Sequence, residues 1–122
     1  MNSLATNKID SLYEASRLAL ARAILPALST EDDQELAHAF MKSLDMSIEY
    51  PSVREGMQAI AGLPQEAISS YIEAYPIAIV AYTRQSVEAR IGDCADDDER
   101  ESLKRFLVFL KKVGAALAKT LH

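Results

Sequence analysis

Cysteine occurs once in this chain, tryptophan not at all, and glycine and proline only four times each. With Cys94 alone, no intramolecular disulfide can form, which excludes a fold held by cystine staples. Four scattered glycines cannot build the clustered glycine loop that cradles a phosphate. Long apolar runs are missing too. The longest, Ala74 to Thr83, is about half of what a membrane-spanning helix needs, and Pro76 interrupts it. The polar start Met-Asn-Ser-Leu-Ala-Thr-Asn-Lys lacks a charged-then-apolar leader. Together with the lone thiol, it gives the expectation of a reducing cytoplasm.

What is present is helical material. The 122 residues suit one ordinary domain spanning 1–122, and shares of 49% apolar and 25% charged residues are globular values. Alanine is frequent, and it favours helix over strand. The expected fold is all-α, a single compact bundle of about five to six helices. The first helix is expected from Asn7 to Leu25, capped by Thr6 or Asn7 and stopped by Pro26. Ile9, Leu12, Tyr13, Ala19, Leu20, Ala23 and Ile24 share its inner face, while Leu18 and Leu25 form a second, narrower stripe beside Ala21.

Ser29-Thr30-Glu31-Asp32-Asp33 signals a helix start, a hydroxyl cap followed by carboxylates where the macrodipole favours them. Leu36, Ala37, Phe40, Met41 and Leu44 should then face inward. A short helix over Ser52–Ala61 ends at Gly62, and Pro64 opens the next as its first residue. Ala74 to Thr83 could pass for a strand, but no partner strand exists to pair with it. Read as helix, it is apolar on nearly all sides and is expected to be the central, most enclosed one, around 76–91, broken or kinked by Pro76. Asp96 to Glu99 start a long amphipathic C-terminal helix, 97–121. Its stripe is Leu103, Phe106, Leu107, Leu110, Val113, Leu117 and Leu121.

The net charge of −5 is unevenly spread. Residues 1–99 carry 7 basic and 17 acidic side chains, and residues 100–122 carry 6 basic and 1 acidic. On the last helix Lys104, Arg105, Lys111, Lys112 and Lys119 lie opposite the apolar stripe, and Val108 points out among them. Such a face can bind an anionic surface, nucleic acid or membrane. Dipole complementarity also places cations at a helix C-terminus, and the acidic remainder would repel phosphate, so nucleic acid is not the expected partner. The acidic runs Glu31–Asp33 and Asp96–Glu99 could mimic phosphate toward a basic groove, although each also serves as a helix start.

Catalytic chemistry finds no foothold. His38, His122 and Cys94 have no metal-ligand spacing among them. Asp93–Lys104 has the acidity of a calcium loop, but lacks glycine at its sixth place and carries Lys104 where the bidentate Glu belongs. Cys94 sits in a polar acidic loop, which does not favour a reactive thiolate, and no Ser–His–acid set is visible. No cofactor is expected.

His38 falls on the outward face of the second helix, with Gln34, Glu35, Lys42 and Asp45 as helical neighbours. The segment Ala37-His38-Ala39-Phe40-Met41-Lys42-Ser43 resembles the histidine-phosphotransfer domains, which carry a His, a Lys three places later and then a small residue. Here the lysine falls one place late and Met41 stands in its position. The resemblance covers about seven residues and implies His38 as a phosphoacceptor.

Apolar groups left over after a core is built point elsewhere. They are Leu18 and Leu25 on the first helix, the line Tyr71, Tyr75 and Tyr82, and Val108 beside Lys104, Lys111 and Lys112. Tyrosine anchors interfaces because its ring buries while its hydroxyl pairs. The expected function is therefore protein–protein interaction without catalysis, as an adaptor, chaperone-like partner or inhibitor, with a homodimer as one form. A phosphorelay through His38 and anionic-surface binding through the last helix are the alternatives.

Overall fold

Ile9, Leu12, Tyr13, Ser16, Leu20 and Ile24 recur every three or four residues, and in the structure they line one sealed side of the first helix. The structure is a computed structural model that describes the backbone of residues 3–120 and the side chains of residues 8–119. Within those bounds the chain is all-helical, with no strand. The elements are α1 (Ser3–Ile24), a 3₁₀ turn (Leu25–Ala27), α2 (Glu31–Ser47), α3 (Pro51–Ala61), α4 (Gln65–Asp93) and α5 (Asp97–Thr120).

Several boundaries differ from the sequence expectation, each for a local reason. Helix α1 starts at Ser3, so Thr6 and Asn7 lie inside it rather than capping it. It ends one residue early, because Pro26 disfavours helix at Leu25. The chain tightens into the 3₁₀ turn, where the Leu28 amide donates to the Leu25 carbonyl at 3.1 Å. Pro64 is the cap of α4 rather than its first residue, and its carbonyl accepts from the Ala67 and Ile68 amides. Pro51 takes the first position of α3 instead. At α2 the capping box is complete. Thr30 Oγ1 accepts from the Asp33 amide at 3.0 Å, and the Asp33 carboxylate accepts from the Thr30 amide at 3.2 Å. Asp96 caps α5 by accepting from the Asp98 amide at 2.9 Å.

The helix expected around 76–91 is the larger correction. Helix α4 is one unbroken helix of 29 residues that runs through Pro76, with the proline on its buried side. Nor is it the most enclosed. Tyr75, Pro76, Val80 and Val87 face inward, while Ala74, Ile77, Ala78, Ala81 and Tyr82 are exposed. Helix α1 packs on all four other helices, α2, α3, α4 and α5. Leu20 and Ser16 are wholly enclosed, and the Ser16 hydroxyl donates to the Leu12 carbonyl at 2.8 Å, so no polar group is stranded.

Two apolar clusters form around the long helices. The larger joins Leu20, Ile24, Phe40, Leu44, Tyr75, Val80, Val87 and the α5 stripe. Phe109, at the edge of that stripe, is almost fully buried and stacks on Phe106 at 6.2 Å, which in turn meets Phe40 edge-on at 5.8 Å. The smaller cluster joins Ile9, Leu12, Tyr13, Ile48 and Met57, with Tyr71 packed against both. Leu121 of the expected stripe lies outside the described residues.

The face assignment of α1 predicts a contrast between two leucines two residues apart. Leu20→Ala should cost about 2–5 kcal/mol in urea unfolding. Leu18→Ala should change stability by no more than about 0.5 kcal/mol, because Leu18 is 50% exposed. Equal costs would show that the faces are misassigned.

Candidate functional site

At about 100° per residue, a helix that buries Tyr75, Pro76, Val80 and Val87 turns Ala74, Ala78, Ala81, Tyr82, Gln85 and Ala89 outward. All six are exposed and none is charged. A solvated helix face ordinarily carries Lys, Glu or Arg, so this stripe is unusual for a surface in contact with water. Two large side chains stand on or beside it: Tyr82 is 68% exposed and Ile77 41%.

The three tyrosines named from the sequence do fall along one groove, of about 240 Å³, floored by Ala74 and Ala78. They occupy different environments. Tyr75 is buried, and that burial, with Tyr71 and Asp45 nearby, pushes its hydroxyl up to about 12. Tyr71 is half-buried, raised by the same desolvation, and lies 5.9 Å from Tyr75 ring to ring. Tyr82 stands free. On the other flank, a hollow of about 180 Å³ lined by Ile77, Ala81, Leu110 and Gly114, with Arg84 in its wall, leads onto α5.

The basic face of α5 is partly consumed within the molecule. Arg105 pairs with Asp32, and the Lys112 ammonium donates to the Asp33 carboxylate and the Ser29 hydroxyl, both at 2.5 Å. Asp33 also accepts from the Ser29 amide and hydroxyl, each at 3.1 Å. The lysine, followed by the Ser29 amide, holds the Asp33 carboxyl far below the usual carboxylate range. Lys104 reaches only its own-helix neighbour Glu101 at 3.6 Å, while exposed Lys111 and Lys119 make no ion pair among the described residues. Val108 is 67% exposed beside them. The acidic runs are engaged as well: Arg100 pairs with Asp97 at 2.8 Å and Arg90 with Glu99 at 3.0 Å.

A second polar centre was not singled out from the sequence. Asp45 accepts from the Tyr13 hydroxyl at 2.8 Å and from Nε and Nη2 of the Arg17 guanidinium, at 2.7 and 3.1 Å. Arg17, then Tyr13, draw the Asp45 carboxyl below its ordinary value despite partial desolvation, while burial and then Asp45 raise the Tyr13 hydroxyl. The arrangement ties α1 to the end of α2. Its only sequence signal is Tyr13 and Arg17 four apart on one helix face.

The remaining candidates stand apart. His38 is exposed on α2 and makes no hydrogen bond among the described residues. Leu18 and Leu25 are exposed too, Leu25 on the 3₁₀ turn rather than on α1. Cys94 caps α4, its thiol donating to the Asp96 carbonyl at 3.2 Å. His122 lies outside the described residues, and among those described no three His, Cys, Asp or Glu side chains converge as a metal site requires. A cleft of about 520 Å³ between α1 and the start of α4, lined by Leu12, Leu63, Ile68 and Ile72, has Lys8 as its one ionisable lining group. The chain matches no family model, and comparison with curated proteins and with solved structures gives no match.

The depressed Asp33 carboxyl makes the α2–α5 latch sensitive to acid. A group whose folded pKa lies below its unfolded value of about 3.9 stabilises at neutral pH and loses that stabilisation as pH falls. Asp33→Asn should therefore melt below wild type at pH 7, and the gap should close progressively below about pH 4. Thermal melts followed by circular dichroism check this. A gap unchanged at pH 2 would remove Asp33 as its source.

Proposed function

We propose that this chain is a single helical domain, a compact bundle in the cytoplasm, that works by binding another protein and performs no catalysis. The outward stripe of α4 is the binding surface. The observation that carries this reading is the exposed, uncharged stripe Ala74, Ala78, Ala81, Tyr82, Gln85 and Ala89, bordered by Ile77. Helix propensity alone would account for alanines on a solvent face. It does not account for an exposed tyrosine and isoleucine on a face whose nearest charges, Arg84 and Glu88, pair with each other at its edge.

Two further observations support protein over an anionic surface as the partner. Arg105 and Lys112 are committed to Asp32 and Asp33, which divides the basic face of α5. The neighbouring stripe is apolar, with small residues that let another backbone approach and one aromatic ring to anchor it.

Photo-cross-linking tests the reading. Tyr82 is replaced by a benzophenone-bearing residue, and Glu14 on α1 likewise as a control. Illumination in the native cell should give a discrete protein adduct from position 82, lost when Ala78→Glu is added. Equal yields from the two positions, or no adduct from position 82, would end the proposal.

A further inference from the structure

Glu73 and Arg84, exposed and of opposite sign, lie along one flank of the α4 stripe. They are 11 residues apart, about three turns, so both lie on the same flank of the helix within roughly 20° and about 16 Å apart along it. Glu73 has no ion pair among the described residues, whereas Arg84 has only the half-exposed, own-helix Glu88 at 3.2 Å. From this register we propose that the stripe of α4 packs antiparallel against the same stripe of a second copy of this chain. The proposal rests on reading the stripe as a protein-binding surface.

A two-fold axis perpendicular to α4 between Ala78 and Ile79 maps position 73 onto the level of position 84. In that arrangement like flanks face each other. Glu73 of each copy then meets Arg84 of the other, and the pair forms twice. A parallel two-fold would set these flanks on opposite sides of the seam, so neither charge would meet its opposite from the other copy. The apolar groups obey the same symmetry. The axis brings exposed Tyr82 of one copy level with Tyr75 and Ala74 of the other, at the groove floored by Ala74 and Ala78. Each copy thus offers one projecting ring and one groove, the self-complementarity that a two-fold interface demands. Alanines at 74, 78 and 81 let the two helices come near the close end of the usual 8–10 Å interaxial range.

Sedimentation velocity from low to high micromolar concentration decides the matter, with circular dichroism to confirm helicity. Wild type should associate to two copies. Ala78→Glu, an exposed position that would place two carboxylates at the axis, should be monomeric with an unchanged spectrum. Glu73→Arg and Arg84→Glu should each weaken the dimer by about tenfold, because each change acts twice. The double reversal should restore most of the loss. A wild type that stays monomeric, or a dimer that survives Ala78→Glu but yields to Leu18→Asp/Leu25→Asp, overturns the proposal. A dimer sensitive to Ala78→Glu but indifferent to the reversals overturns the antiparallel register. The cross-link at position 82 separates the two levels. An adduct of another mass on a monomeric chain defeats the second copy and leaves the binding surface standing. A monomer that gives no adduct defeats both.

Discussion

The whole arrangement hangs on the enclosure of one side of α1. Leu20 and Ser16 have no accessible surface, and Ile24, Leu12 and Ile9 continue the same line. Because the serine hydroxyl is satisfied by its own helix, a polar residue can sit at the middle of that line without an unpaired group. The helix then serves two clusters at once, one with α2, α4 and α5 at its C-terminal half and one with α3 and the start of α4 at its N-terminal half. With its inward side committed to α1, α3 and α5, α4 has its far side covered by no other helix among the described residues.

That far side explains what was and was not legible in the letters. Helix starts were legible where the signal is local: Thr30 with Asp33, and Asp96 with Asp98, are side chain to backbone bonds within three residues. The buried faces of α2 and α5 were legible because their opposite faces are polar. On α4 both faces are apolar, so periodicity marks no inside. Ala74, Ile77, Ala78 and Ala81 therefore looked like core and proved exposed. Pro76 reads as a break or a kink, and the helix runs on unbroken with it on the packed side. The Asp45 centre was hidden for another reason. Its partners lie 28 and 32 residues away, and no local pattern reports a contact made by tertiary folding.

Charge follows the same logic. Along the chain, acid and base are segregated, with an acidic body and a basic last helix. In space they are partly recombined, since Arg105 and Lys112 return to Asp32 and Asp33 across 73 and 79 residues. A carboxylate that caps its own helix and also receives a lysine from another helix fixes where α2 begins relative to α5. The sequence asymmetry is thus in part an internal fastening, not wholly a surface offered outward.

The unequal size of the two clusters has a bearing on motion. Among the described residues, five buried side chains make the cluster that holds α3, against fourteen in the cluster that includes α5. Local opening draws on the thinnest packing, so α3 should be the first segment to exchange its amide protons while the α1–α4–α5 framework remains shut. A short helix that detaches at low cost would make this protein a rigid platform with one loose flap, at the end of α4 farther from its exposed tyrosine.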